Sequence, residues 1–129
     1  MSDVLIECVP NISEGKDLKV IDAIVDSARS VDGAFVLGCE PDSDYNRTVI
    51  TIAGKPKAVI QAAYNLIIKS SELIDMRKHS GNHPRMGAVD VCPFVPLSEH
   101  SMHYCVQASR ELSNLSLIHI SEPTRLGFI

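Results

Sequence analysis

The chain has 129 residues, a length typical of one compact domain and too short for two. Hydrophobic residues make up 45% and charged residues 22% of the chain, which is typical of a globular protein and excludes a disordered one. The formal net charge of −4 argues against a general nucleic-acid-binding protein. Every apolar stretch is shorter than the roughly 18 residues that a membrane helix needs, and no signal peptide is visible, so we expect a cytoplasmic protein without a membrane partner.

The first predicted element is a buried strand over Val4–Val9, which Pro10 and Asn11 end. A helix follows, with an apolar face made by Leu18, Ile21, Ile24, Val25 and Ala28. Two strands come next, Ala34–Glu40 and Arg47–Gly54, and the turn-rich stretch "PDSDYN" between them predicts a hairpin.

A second helix is predicted from Pro56 to about Ile74, because proline suits the first helical turn and a broad apolar stripe follows it. The segment "DMRKHSGNHPRMG" over Asp75–Gly87 interrupts the pattern with glycine and proline. A fourth strand is predicted over Ala88–Val95, and a third helix from Ser98 through Leu112. The four cysteines show no C-x-x-C spacing, and we expect reduced, mostly buried thiols.

The order strand, helix, strand, strand, helix, strand, helix predicts an α/β (α+β) fold of the ferredoxin-like split βαβ type, with a mixed or antiparallel sheet and helices on one face. Tracing the direction of each element places three polar loops at one end of that fold, namely Pro10–Lys16, Pro41–Asn46 and Asp75–Gly87. Loops held by a rigid scaffold commonly carry function, so we expect the site there.

His83 is the first candidate residue, because a histidine ionises near neutral pH and suits general acid/base catalysis. The alternative is an ordinary surface histidine in a turn. His79 lies four residues earlier, a spacing that binds metal on a helix, but Gly81 argues against helix here and no third ligand is evident. We therefore expect no metal.

A local excess of cations predicts an anion site, since Arg77, Lys78 and Arg85 stand against Asp75 in a chain that is acidic overall. A solvated basic face is the alternative. Arg47 adds a cation to a second loop at the same end.

Carboxylate and amide side chains complete the candidate set. Glu40 is suited to orient His83 and raise its basicity. Asn11, Ser13, Glu14 and Gly15 are predicted either to cap the first helix or to donate hydrogen bonds to a ligand.

Five stretches of the sequence carry a resemblance to a known family: "ECVPNISEG", "NRTV", "AGKPKAV", "ELIDM" and "HSGNHPRMGAVDVCPFVP". Together they resemble the N-terminal subdomain of the glutamate formimidoyltransferase (formiminotransferase) family, from about Leu5 to Leu112. The resemblance implies transfer of a formimidoyl group from N-formimidoyl-L-glutamate to N5 of tetrahydrofolate, a co-substrate, in histidine degradation. It also implies a homodimer and a second subdomain that faces the first across a positively charged tunnel.

The resemblance assigns roles to the candidate residues. His83 becomes the proposed catalytic base, and Glu40 stands where the family usually has an aspartate partner. Positively charged side chains would bind the carboxylates of the two substrates, and the neutral ones would line the site. This substrate-binding set comprises Arg47, Arg77, Arg85, Asn46, His79, Asn11 and Ser13.

The end of the chain does not fit the family. The stretch "LSLIHISEPTR" over Leu115–Arg125 equals an in-frame translation of a transposase adapter used in sequencing libraries. We therefore expect residues 1–114 to be an incomplete subdomain and residues 115–129 to be a non-native tail, so that the chain alone has little or no activity.

Two other functions remain open at this point. A stand-alone folate-binding or regulatory module would need no catalysis. A metal-dependent hydrolase would use His79 and His83 as ligands.

Overall fold

A computed structural model describes residues 4–74, 89–98 and 101–120 of the chain. Within these ranges the strands are β1 (Ile6–Cys8), β2 (Asn11–Ile12), β3 (Ala34–Asp42), β4 (Arg47–Gly54), β5 (Val89–Val91) and β6 (Phe94–Pro96). The helices are α1 (Leu18–Arg29), α2 (Pro56–Leu73) and α3 (Met102–Ile120).

All six strand segments belong to one sheet, and each pair of neighbours is antiparallel. β1 and β2 follow each other along the same side of β4, with Ile6 opposite Gly54 and Ile12 opposite Thr48. β6 and β5 continue the sheet beyond β1 and β2, while β3 pairs with the other side of β4. The sheet therefore has four strand positions, and their order is that of the predicted ferredoxin-like fold, which is confirmed.

Two predicted strands are each divided by a proline. Proline has no backbone N–H and cannot donate to a sheet. Pro10 separates β1 from β2, and Pro93 separates β5 from β6. Both carbonyls still accept hydrogen bonds, Pro93 from the Val9 N–H and Pro10 from the Ile50 N–H, each at 3.0 Å. The prediction that Pro10–Lys16 is entirely loop was wrong, because Ile12 is fully buried and pairs with β4.

The helices pack on one face of the sheet, as predicted. α1 contacts α2, and α2 contacts α3. The core between helices and sheet is mostly aliphatic, and its largest fully buried side chains are Ile6, Ile12, Ile21, Ile24, Ile50, Ile52, Leu66 and Val59. Leu18 was expected on the apolar face of α1, but it is 61% exposed, since it is the first residue of the helix and α1 first reaches the core at Ile21.

The third helix differs in extent from its prediction. It begins at Met102, because Ser98 and Ser101 form a turn before it: the Ser98 N–H donates to the Ser101 hydroxyl at 3.2 Å, and that hydroxyl donates to the Ser98 carbonyl at 2.6 Å. α3 continues to Ile120, beyond the predicted end at Leu112. In the described part of the chain, no helix combines the length and apolarity needed to cross a membrane.

The opposite face of the sheet carries apolar side chains without a covering layer in the described residues. Strict alternation along β4 directs its odd-numbered residues to this face. Strand pairing makes one row across this face, in which Phe35 lies opposite Ala53, Ala53 opposite Glu7, and Glu7 opposite Val95. Phe35 and Leu37 are each 64% exposed, and Leu37 lies at a bulge in β3. We call this surface the open sheet face.

Candidate functional site

Two of the three loops that were predicted to share one end are in direct contact. The Gly15 N–H donates a hydrogen bond of 2.9 Å to the side-chain Oδ1 of Asn46, which lies in the β3–β4 turn. Asn46 adopts a left-handed backbone conformation with φ of 52°, which asparagine tolerates better than most residues. A Cβ at Gly15 would lie 2.3 Å from the Asp42 carbonyl oxygen and 2.5 Å from the Arg47 nitrogen. Only glycine therefore fits where the loop meets the hairpin.

A second contact joins the same two segments. The hydroxyl of Thr48, a fully buried residue of β4, donates to the backbone carbonyl of Glu14. The Glu14 carboxylate turns back to accept from the backbone N–H groups of Lys16 at 3.1 Å and Asp17 at 3.0 Å. The loop after β2 is thus held both by the hairpin and by its own side chain.

The first helix is not capped by the residues that were expected to cap it. Asp17 is the N-cap, and its carboxylate accepts from Lys19 at 3.1 Å and Val20 at 3.3 Å. Asn11 instead donates from Nδ2 to the Val9 carbonyl at 3.2 Å, and Ser13 is fully buried. The capping interpretation of Asn11 and Ser13 was wrong, because β2 places them before the turn that leads into α1.

Strand pairing brings two of the candidate residues into one row on the open sheet face. Glu40 lies opposite Val49 of β4, and Val49 lies opposite Asn11 of β2. Directly opposed residues project to the same face, and two strand spacings separate Glu40 from Asn11 by roughly 10 Å. Glu40 is exposed and Asn11 is half-buried, so both present polar groups on this face.

Arg47 stands beside this row as the first residue of β4, paired with Asp42. Its Nε atom is buried, while the residue as a whole is half-buried. The hairpin turn also carries acidic groups, and the Asp42 carboxylate accepts from the Asp44 N–H at 3.0 Å. The predicted excess of cations therefore depends on residues of the third loop.

The third loop lies outside the described residues, and so do His79, His83, Arg77 and Arg85. The structure does describe the residues on either side of it. Ile74 is the C-cap of α2 and is buried, with its N–H donating to the Ser70 carbonyl at 2.9 Å. Val89 begins β5 opposite Ile12. The chain therefore leaves the helix layer before this segment and enters the sheet beside β2 after it.

Sequence reasoning did not identify Gly15, Asn46 and Thr48 as a set that joins two loops. The glycine in "NISEG" was a usable signal, since a glycine in a short loop often marks a close backbone approach. Its partner 31 residues away was not readable from local sequence. In the described part of the chain, no three His, Cys, Asp or Glu side chains are arranged to hold a metal ion.

Comparison with known proteins assigns this chain to a family. The family model "Formiminotransferase domain, N-terminal subdomain" matches residues 5–124. The chain is 44% identical over 109 residues to a protein named glutamate formimidoyltransferase from Streptococcus pyogenes, covering 84% of this chain and 36% of that protein. It is 45% identical over 108 residues to a protein of the same name from Thermoplasma acidophilum, again covering 84% and 36%. It is 49% identical over 107 residues to a formimidoyltransferase-cyclodeaminase from Dictyostelium discoideum, covering 83% of this chain and 20% of that protein.

The chain belongs to the family of formiminotransferase N-terminal subdomains. It spans about a third of the two glutamate formimidoyltransferases and a fifth of the formimidoyltransferase-cyclodeaminase. The family match extends to residue 124, past the predicted start of the tail at residue 115. That boundary stays a prediction.

Proposed function

We propose that this chain is the N-terminal part of a glutamate formimidoyltransferase, which transfers a formimidoyl group from N-formimidoyl-L-glutamate to N5 of tetrahydrofolate in histidine degradation. The observation that carries the proposal is the row of Glu40, Val49 and Asn11 on the open sheet face of a chain that belongs to this family. This row lies at the end of the sheet where the chain leaves α2 and re-enters at Val89.

His83 acts as the general base in this proposal. As N5 of tetrahydrofolate attacks the formimidoyl carbon, His83 accepts the N5 proton, and it returns a proton to the glutamate nitrogen when the old C–N bond breaks. Glu40 orients the imidazole and stabilises its protonated form. The site holds both substrates in a fixed relative orientation, and this positioning supplies much of the rate acceleration.

The carboxylates of the substrates are bound by arginines. Arg47, at the edge of the Glu40 row, is joined in the proposal by Arg77 and Arg85, whose planar guanidinium groups suit forked hydrogen bonds to a carboxylate. Asn46 supports this group indirectly, because its side chain already accepts from Gly15. His79 and Asn11 complete the substrate side, whereas Ser13 is fully buried and is not proposed as a substrate contact.

The open sheet face is proposed to meet the second subdomain. Its exposed apolar residues, among them Phe35, Leu37 and Val95, form a surface of the kind that soluble proteins normally cover. The longer relatives have the additional chain that a covering layer requires. We further propose a homodimer, as the family resemblance implies, and, from the sequence arguments above, a cytoplasmic protein without a bound metal.

The experiment measures formimidoyl transfer by the complete reading frame that encodes this chain. We expect His83→Ala to reduce kcat by at least about a hundredfold, the contribution of a positioned base. His103→Ala is the matched control, since this exposed histidine on α3 lies toward the opposite end of the sheet. Equal turnover of the His83→Ala and wild-type proteins would refute the role of the base.

Two further measurements separate the alternatives. Glu40→Gln is expected to lower kcat and Glu40→Asp to retain it, because aspartate keeps the charge that orients His83. The isolated 129-residue chain is expected to show little turnover. Tight folate binding by the isolated chain, together with no transfer by the complete protein, would favour the binding or regulatory module instead.

A further inference from the structure

Two cysteines that the proposed reaction does not use lie next to each other. The Sγ atoms of Cys8 and Cys92 are 3.1 Å apart, within hydrogen-bond distance for sulfur, although the residues are 84 positions apart in sequence. Both are present as free thiols. Cys8 lies in β1, and Cys92 lies in the short link between β5 and β6.

The sheet itself holds this pair in place. Cys8 is directly opposite Phe94 in the pairing of β1 with β6, so Cys92 is its diagonal neighbour two residues away. The hydrogen bond of 3.0 Å from the Val9 N–H to the Pro93 carbonyl fixes the backbone between them. The contact is therefore a consequence of strand register rather than of two mobile side chains.

We propose that Cys8 and Cys92 are an oxidisable thiol pair, which hydrogen peroxide converts to an intrachain disulfide. An S–S bond is about 2.05 Å long, so the two sulfurs must approach by about 1 Å from their present separation. Cys8 and Cys92 occupy diagonal positions on adjacent antiparallel segments, so this approach requires side-chain rotation together with a shift of the backbone. The inference concerns the thiols alone and does not depend on the proposed transferase reaction.

Exposure assigns a different role to each sulfur. Cys92 is half-buried and reachable from solvent, whereas Cys8 is fully buried. The hydrogen bond with Cys92, which stabilises the protonated form of Cys8, and burial both raise the pKa of the Cys8 thiol, so Cys8 keeps its proton at neutral pH. The first reaction with the oxidant therefore occurs at Cys92, and Cys8 is the resolving thiol.

The two steps balance as follows. The sulfur of Cys92 attacks one oxygen of hydrogen peroxide, the O–O bond breaks, and the products are Cys92 sulfenic acid and water. The sulfur of Cys8 then attacks the Cys92 sulfur and displaces hydroxide, which takes the Cys8 proton and leaves as a second water. Two thiols are oxidised by two electrons in total, and one peroxide is reduced to two waters.

The other two cysteines provide an internal comparison. Cys39 lies in β3 at the far edge of the sheet, and Cys105 lies in α3. Burial raises the pKa of both thiols. Among the described residues, Cys8 and Cys92 are the only two cysteines whose sulfur atoms are in contact. We therefore expect the oxidation to be selective for that pair.

The disulfide would connect the first strand of the chain to the strand pair that follows residues 75–88. β5 begins at Val89, so the cross-link lies three residues beyond the point where the chain enters the sheet. The bond would hold the β5–β6 edge on β1 even when neighbouring hydrogen bonds open.

The experiment treats the full 129-residue chain with a small molar excess of hydrogen peroxide at neutral pH, alkylates the remaining thiols in denaturant, and maps the peptides without reduction. Before alkylation, we expect the intact chain to lose about 2 Da in mass. After alkylation, we expect one linked peptide pair that contains Cys8 and Cys92, and alkylated Cys39 and Cys105. An unchanged mass, a disulfide that includes Cys39 or Cys105, a disulfide between chains, or Cys92 sulfinic acid with Cys8 still alkylated would each overturn the proposal.

Variants assign the order of the steps. In Cys8→Ser we expect Cys92 sulfenic acid to accumulate and to be trapped by dimedone, since the resolving thiol is gone. In the matched control Cys39→Ser the linked pair should form as in wild type. If Cys8→Ser yields no dimedone adduct, Cys92 is not the site of first attack and the proposed order is wrong. Peptide mapping of the wild-type chain identifies which two cysteines form the disulfide, even where a variant does not fold.

Discussion

The backbone N–H of Gly15 and the side-chain oxygen of Asn46 are 2.9 Å apart and join two loops that lie 31 residues apart in sequence. One loop follows β2, which carries Asn11, and the other connects β3, which carries Glu40, to β4. The bond therefore fixes the distance between the two strand segments that present the polar row of the open sheet face. Three predictions concern this junction, and each is measured as a change in the free energy of urea unfolding.

Gly15→Ala should destabilise the chain by about 3 kcal/mol, the upper end of penalties for overpacking. The added Cβ would lie within 2.7 Å of three backbone atoms of the hairpin, and backbone cannot move aside as a flexible side chain would. Gly38→Ala is the matched control, because its Cβ would meet the Thr51 hydroxyl at an ordinary 3.9 Å. We expect that variant to stay within about 0.5 kcal/mol of wild type. Equal losses in both variants would show that the close approach at Gly15 is not responsible.

Substitutions at Asn46 should separate its two contributions. Asn46→Asp keeps an acceptor and tolerates a φ of 52°, so we expect near wild-type stability. Asn46→Gly keeps the backbone conformation but loses the acceptor for Gly15, at a cost of about 1 kcal/mol. Asn46→Ala loses both and should cost about 2–3 kcal/mol. An alanine variant as stable as wild type would mean that neither the bond nor the left-handed conformation matters.

Thr48→Val removes a buried hydroxyl while conserving shape. The Glu14 carbonyl would lose its donor inside the protein, and we expect a loss of about 1–2 kcal/mol. Thr51→Val is the control on the same strand, because Thr51 projects to the open sheet face and is only half-buried. It should change stability by less than about 0.5 kcal/mol. The hydrogen-bond interpretation fails if the two valine variants unfold at the same urea concentration with the same slope.

The last prediction concerns the end of the chain. We propose that residues 115–129 derive from adapter DNA, since "LSLIHISEPTR" equals a translation of that adapter. An independent long read across the gene should then show a different sequence after the codon for Asn114. A native locus that encodes this stretch without interruption would contradict the proposal and assign the whole of α3 to the natural protein.

The fold was largely readable from the sequence because its signals are local. Apolar runs bounded by proline, glycine and acidic turns predicted the strands, and β4 has the predicted bounds Arg47–Gly54. The element order then predicted the ferredoxin-like arrangement. The errors lie where a tertiary contact overrides a local signal: Ile12 joins the sheet despite its loop-like neighbours, and Leu18 stays exposed despite its place in the helical pattern.

The candidate site was readable only in part. Residue chemistry singled out Glu40, Arg47 and Asn11, but not which of them share a face. Strand register decided that question, because a shift of one residue would have moved Glu40 to the opposite side of the sheet. His83, Arg77 and Arg85 rest on the sequence alone, since they lie outside the described residues.

The sequence by itself determined the family, the element order and the kinds of chemical group near the site, because periodicity and motifs are properties of neighbouring residues in the chain. Only the tertiary structure decided which distant residues meet. Gly15 meets Asn46, and Cys8 meets Cys92 across 84 residues, because antiparallel pairing brings together positions whose separation no local pattern records.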